Sequence, residues 1–116
     1  MLGITIRHNL ERERFEVLDN GKVIGKALYR TYGEDPSHRI FYHTVINEEY
    51  GGQGLAKKLA VQALDQTVEE GLKIVPVCPY IKKFLTKHPE YDESRVPVTA
   101  AHLEFLDAAL AQGARS

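Results

Sequence analysis

A mixed α/β (α+β) fold, with a mostly antiparallel sheet and one parallel crossover, is what the sequence predicts, on three observations. Apolar and polar residues alternate at period two in the stretches leading to Ile46, and an Asn20-Gly21 pair separates two of these stretches. From Arg39 onward a strand, a glycine-rich turn, a helix and a second strand follow one another. That last order is a βαβ unit, whose two strands lie parallel.

Ile4-Thr5-Ile6-Arg7-His8 alternates and forms a first strand, followed by a polar break from Asn9 to Glu13. Phe15 to Leu18 is a second strand, and Asn20-Gly21 supplies the positive φ angles of a tight hairpin turn. The partner strand runs from Val23 to Tyr32. Its Gly25 marks a bulge, with Ala27, Tyr29 and Thr31 on one face and Leu28, Arg30 and Tyr32 on the other. Gly33 to Ser37 is a turn by composition, and Arg39 to Ile46, aromatic and β-branched, is the central strand.

A helix from about Gly54 to Glu70 carries an apolar stripe of Leu55, Leu59, Ala63 and Leu64 with Ala56, Ala60, Thr67 and Val68, and Gly71 stops it. Leu72 to Val77 resumes as a buried strand. Pro79 opens a helix over about Tyr80 to Lys87, closed by His88-Pro89. A tail helix covers about Thr99 to Gln112, with Thr99 as N-cap and Leu103, Leu106 and Leu110 along one side.

The 116 residues make one domain, undivided by any repeat, linker or low-complexity tract. A formal net charge of -1 gives no general attraction to nucleic acid or membrane, so neither is an expected partner and any anion site must be local. No apolar run spans a bilayer and Met1 to Thr5 lacks the regions of a signal peptide, which makes the cytoplasm the expected address. Cys78, the single cysteine, is either a core thiol or a chemical one. His8, His38, His88 and His102 show no ligand spacing, and no metal site is expected.

Tyr50-Gly51-Gly52-Gln53-Gly54-Leu55-Ala56-Lys57-Lys58-Leu59 is the stretch that bears on function. Three glycines leave backbone N–H groups unobstructed, and the helix start adds its own unpaired donors and partial positive charge. Such a corner holds a phosphate, or is a plain loop into a helix. Lys57 and Lys58 near the first turn, with Glu69 and Glu70 at the last, reverse the dipole preference, and a bound anion rationalises the lysines. The dinucleotide fingerprint fails, because Lys57 stands at the third glycine position, and the Walker A spacing is absent.

Following a long strand, Glu48 to Leu59 resembles the acetyl-coenzyme A motif Q/R-x-x-G-x-G/A of the Gcn5-related N-acetyltransferases. Gly54 and Ala56 match; Gly51 stands where the family carries Arg or Gln, which leaves backbone contacts without that side chain. The chain is most similar to the small single-domain YjdJ-type subgroup, through His43-Thr44 before the turn and Cys78-Pro79-Tyr80-Ile81 after the next strand. The likeness covers roughly residues 4 to 92, with the tail from about Ser94 outside it.

The resemblance implies two parallel strands, ending near Ile46 and beginning near Leu72, that splay apart around the pantetheine arm of acetyl-coenzyme A. Pantetheine amides would pair with backbone of Val45 and Ile46. The pyrophosphate would rest on N–H groups of Gly51, Gly52, Gln53, Gly54, Leu55 and Ala56, with charge from Lys57 or Lys58. The family's Phe-Tyr acid reads Phe84-Leu85 here. Cys78 is then a candidate nucleophile, His43 its base or the amine's, and Tyr80 a hydrogen-bond donor or acid. Each has a structural counterpart: a small buried hydrophobe, a satisfied histidine, and an anchor for its helix. Glu48 and Glu49 belong to a solvated turn or attract an amine. The expected activity is acetyl-coenzyme A-dependent N-acetylation of a primary amine on a small molecule or peptide. The rivals are a non-catalytic acyl-coenzyme A binding module and a small interaction protein using the tail leucines.

Overall fold

Asn20 and Gly21 both take positive φ, 50° and 87°, the geometry that lets a two-residue turn match the twist of its flanking strands. The hairpin they close belongs to a five-stranded sheet in the order β1-β2-β3-β4-β5, as given by a computed structural model that describes residues 3–33 and 38–115, with side chains to residue 112. The strands are β1 (Ile4–Asn9), β2 (Arg14–Asp19), β3 (Lys22–Tyr32), β4 (His38–Ile46) and β5 (Lys73–Pro76). Neighbours are antiparallel from β1 to β4, and β4 and β5 run parallel. Most of the turn expected over Gly33 to Ser37 lies outside the described residues.

The crossover is α1 (Leu55–Glu69); α2 (Pro79–Thr86) follows β5, and α3 (Ala100–Arg115) is the tail helix. On one face of the sheet, α1 and α2 bury Leu59, Leu64, Ile81 and Leu85 against Phe15, Tyr29 and Phe41. Gly71 ends α1 with φ 75°, and its N–H and that of Leu72 reach back to the carbonyls of Val68 and Thr67. Val68, expected in the apolar stripe, is 40% exposed, because Thr67 one position earlier faces the sheet. On the opposite face α3 packs Leu106, Phe105 and Leu110 over Ile40, Val75, Tyr32 and Tyr42. No described helix is long and apolar enough to cross a membrane.

Two bulges interrupt the antiparallel ladders. The first makes Ile24 the extra residue, since Val17 pairs with Gly25 and Leu18 with Val23. It therefore falls beside Gly25, which is small for another reason: a Cβ there would lie 3.1 Å from the Val45 carbonyl oxygen. The second makes Tyr42 the extra residue, since Leu28 pairs with His43 and Tyr29 with Phe41. An extra residue reverses which face each later side chain takes.

Leu103, expected on the inner side of α3, is 44% exposed. The helix is turned instead by His102, which is 3% exposed. Thr99 Oγ1 accepts from the His102 N–H at 3.3 Å, and His102 Nδ1 accepts from the Thr99 N–H at 3.0 Å, a reciprocal cap. The remaining nitrogen, Nε2, then carries the proton and donates to His38 Nδ1 at 2.9 Å.

Burial and the facing His38 hold the His102 ring below the ordinary histidine range. Burial and Arg39 do the same for His8, whose Nε2 meets the Tyr29 hydroxyl at 2.6 Å. The unfolded chain thus binds protons more readily, so stability rises with pH across the window between the lowered values and about 6.5. Melting temperature is expected to fall between pH 7 and pH 5, where carboxylates remain charged, and His102→Gln should flatten part of that slope. An unchanged slope in the variant would show that the contact with His38 does not hold α3.

Candidate active site

At the turn into α1 the chain makes a short 3-10 helix, Glu48–Tyr50, tied to the β2–β3 hairpin by the Tyr50 hydroxyl donating to Asp19. Gly52 and Gly54 have φ of 79° and 74°, with open space where each Cβ would stand, whereas Gly51 has φ -65°. Positive φ therefore explains two of the three glycines. Gly54 is the N-cap and has no side chain to satisfy the first amides of α1, and the first turn carries no acidic residue. The Lys58 N–H bonds back to Gly54, so the N–H groups of Leu55, Ala56 and Lys57 have no helical acceptor.

Leu55 is 2% exposed and offers the corner its amide alone, while the side chain joins the core. Gln53, Gly54, Lys57 and Lys58 line a groove of about 620 Å³ beside Ile6 and Val61. The reversed charges on α1 separate into two cases. Glu70 at the far end has a partner, Arg39 Nη1 at 3.3 Å, and Lys57 and Lys58 form no ion pair among the described residues.

β4 and β5 pair from His38 with Lys73 to Phe41 with Pro76 and no further. The Phe41 carbonyl accepts from both Val77 and Cys78 N–H groups, at 3.0 and 2.8 Å, and is the point where the strands part. Beyond it β4 continues to Ile46 while the other chain turns into α2. The Asn47 N–H donates to Ile24 of β3, so strand alternation turns the backbone groups of Ile46 and Thr44 toward the gap. Val45, paired with Lys26, turns its backbone to β3 and leaves a half-exposed side chain.

Cys78 is the N-cap of α2 and is 3% exposed. Its Sγ donates to Thr44 Oγ1 at 3.5 Å. Thr44, which the sequence reading gave no role, is the β4 side chain at the thiol because of the bulge at Tyr42. Thr44 pairs with Ala27 on the α1 face, whereas His43 pairs with Leu28 on the opposite face and is exposed. His43 is thus not aimed at Cys78.

Tyr80 lies in a second groove, between α1 and α2, and burial pushes its phenol up. Leu85 is 1% exposed and belongs to the core, as its apolar character requires. No group of three or more His, Cys, Asp or Glu among the described residues is placed to hold a metal.

A family model described as GCN5-related N-acetyl-transferase matches residues 14–94, from β2 to the segment beyond α2. The chain belongs to the GCN5-related N-acetyltransferase family. Its relatives include Protein NATD1 of Mus musculus, 38% identical over 89 residues that cover 74% of this chain and 77% of that protein. Protein NATD1 of Danio rerio is 35% identical over 92 residues, covering 78% and 83%. The solution structure of a GCN5-like protein from Staphylococcus aureus superposes with a TM-score of 0.64 at 25% identity, covering 88% of this chain and 97% of that one. A ribosomal-protein-alanine N-acetyltransferase from Brucella melitensis biovar Abortus 2308 shares the fold at a TM-score of 0.53 and 18% identity, over 64% of this chain and 60% of that one. The mixed sheet with its three helices is therefore the GCN5-related N-acetyltransferase fold, and acetyl transfer is the general chemistry of the family.

Proposed function

We propose that this chain is an acetyl-coenzyme A-dependent N-acetyltransferase that passes the acetyl group to a primary amine by way of Cys78. The observation that carries the reading is the parting of β4 from β5, with Thr44 and Ile46 backbone on one side and Cys78 on the other. An extended chain of amides pairs naturally with an unpaired strand edge. The uncapped corner from Gly52 to Ala56, with Lys57 and Lys58, suits a pyrophosphate, whereas Gly51, expected to share in it, has its N–H taken by the Glu48 carbonyl at 3.0 Å. When bound, acetyl-coenzyme A supplies a thioester carbonyl.

In the first step the Cys78 thiolate attacks that carbonyl, the bond to the coenzyme sulfur breaks, and coenzyme A leaves as the thiol with the proton given up by Sγ. In the second, the amine attacks the Cys78 thioester, Sγ departs and recovers a proton, and an amide is formed. Thr44 positions Sγ. His43, exposed on the other face of the sheet at the level of the gap, takes the proton from the acceptor ammonium before the amine enters the gap. The acceptor is an amine on a small molecule or peptide. His43-Thr44 and Cys78-Pro79-Tyr80-Ile81 favour the YjdJ-type subgroup.

A second reading, an acyl-coenzyme A binding module without turnover, draws on the burial of Cys78 and on Leu85 at the family's tyrosine position. Calorimetric titration with coenzyme A tests what the two readings share. The protein is expected to bind, and Gly54→Val, which sets a branched side chain at φ 74° over the corner, is expected to weaken binding by about tenfold or more. No binding to the parent chain overturns both readings, and unchanged affinity in the variant removes the corner from the site.

A further inference from the structure

The bulge at Tyr42 leaves His43 on the face of the sheet opposite α1, and cross-strand pairing says what stands beside it, because paired residues carry their side chains on one face. One row runs His43, Leu28, Arg14 and Asn9 from β4 to β1. The next runs Val45, Lys26, Glu16 and Arg7. α3 lies over the other end of this face, where Phe105, Ala108 and Ala109 stand beside Arg30 and Glu13 along a groove of about 660 Å³. The two rows themselves are open: His43 and Arg7 are exposed, and Val45 is 38% exposed.

The carboxylates of this face, Glu16 and Glu13, are both engaged. Glu16, fully buried beneath its neighbours, accepts from Arg7 Nε at 2.9 Å on Oε1 and from Arg14 Nε and Asn9 on Oε2. Burial alone would push that carboxyl up, but the two arginines outweigh it and hold the group below the usual carboxylate range, so the charge persists. Glu13 accepts from Arg30 Nη1 at 3.4 Å and from the Thr31 N–H at 3.2 Å. Lys26 forms no ion pair among the described residues. Arg7, Arg14, Lys26 and Arg30 thus share the face with Glu13 and Glu16, an excess of two positive charges in a chain of net charge -1.

That excess decides which amine suits the face. Lys26 is the diagonal neighbour of His43, about 7–8 Å from it, and Arg14 is two strands away, about 10 Å. An amine arrives at His43 as an ammonium and is repelled by both. A carboxylate on the same molecule offsets the repulsion and pairs with Lys26 or Arg14. A polyamine, carrying only positive charge, is the least suited acceptor. The floor is a pleated sheet walled on one side only, whereas a small ligand needs a pocket around it. An extended peptide, rising about 3.3 Å per residue, spans from His43 to Arg14 in about three residues and crosses Leu28 on the way.

We propose that this face seats the acceptor as an extended peptide and selects one whose amine lies within about three residues of Asp or Glu side chains, which pair with Lys26 and Arg14. The assignment rests on the acetyltransferase reading above and adds the charge of the substrate to it.

The test uses two short peptides, each with a free amino terminus, one lysine and a fluorescent label at the C-terminus, whose remaining residues are mostly Glu in one and Gln in the other. Binding to the full chain in the presence of coenzyme A is followed by anisotropy. At low salt the Glu peptide is expected to bind about tenfold more tightly or better, and added salt should erode the preference. Lys26→Glu removes the excess positive charge without breaking an ion pair, and there the preference should shrink to about twofold or less while coenzyme A affinity and melting temperature hold. The same reversal at Lys87, past the end of α2 on the other side of the sheet, should leave the preference at its parental value. Equal binding of the two peptides by the parent chain, or binding of neither, overturns the acidic acceptor. A preference that survives Lys26→Glu overturns it too, as does an equal loss in both variants, which would assign the preference to overall charge. Acetyl transfer is read separately by mass spectrometry. Acetylation of both peptides at one rate overturns the selection and leaves the acetyltransferase reading standing, and preferential binding without transfer from acetyl-coenzyme A overturns that reading alone.

Discussion

Cys78→Ala is expected to lower amine acetylation by about a thousandfold or more while moving coenzyme A affinity by less than about threefold. The asymmetry follows from where the side chain sits. The main-chain N–H of Cys78 stays bonded to the Phe41 carbonyl whatever the side chain, so the gap keeps its shape. The atom lost is the Sγ that meets Thr44 and, in the proposed reaction, forms the covalent bond. Removing one buried sulfur costs fold stability only about 1 kcal/mol, so loss of activity in a folded variant reads chemistry. Mass spectrometry after incubation with isotopically labelled acetyl-coenzyme A should place the label on Cys78. Transfer by the alanine variant at the parental rate would return Cys78 to the core, and turnover with no label on Cys78 would replace the covalent route by direct attack of the amine.

Arg39→Ala is expected to destabilise the fold by about 3 kcal/mol, a fall of roughly 10–20 °C in melting temperature for a domain of this size. Arg39 is 3% exposed. Its guanidinium carbon lies 4.4 Å from the Tyr29 ring centroid, and Nη1 donates to Thr67 at 3.2 Å and to Glu70 at 3.3 Å. It thus pins the start of β4 to the end of α1. Burial alone would push the Glu70 carboxyl up, but the hydrogen bond and charge of Arg39 outweigh it and hold the group below the usual carboxylate range.

Arg39 Nε, however, is buried without a partner, so the pair is imperfectly satisfied. Arg39→Met keeps most of the volume and removes the buried charge, and it is expected to melt within a few degrees of the parent, because the Glu70 carboxylate left behind is 35% exposed and regains water. Thermal melts followed by circular dichroism separate the cases. If Met destabilises as much as Ala, the hydrogen bonds, and not the filled volume, join β4 to α1.

The strands, the hairpin and α1 were legible because their signals are local. Asn20-Gly21 fixes its own turn, Gly54 and Gly71 bracket α1, and the spacing of Leu55, Leu59, Ala63 and Leu64 decides its buried face. Leu103 and Val68 were misplaced because an apolar residue at the margin of a stripe is assigned by the helix's rotation, which partners elsewhere in the chain set. For α3 that partner is His38, in sequence 64 positions away from His102, and no local pattern connects the two.

What the sequence by itself determined is the glycine corner, the order of strand, helix and strand, and the presence of a thiol at the head of α2. Those depend on φ preference, periodicity and proline placement, all properties of neighbouring residues. What the tertiary structure decided is which groups meet. Simple alternation puts His43 in phase with Phe41, toward the core and Cys78; the extra residue Tyr42 in the β3–β4 ladder reverses that phase and puts Thr44 at the thiol and His43 across the sheet. A bulge arises from how two strands are paired, here between Leu28 with His43 and Tyr29 with Phe41, and so has no expression in the residues of either strand alone.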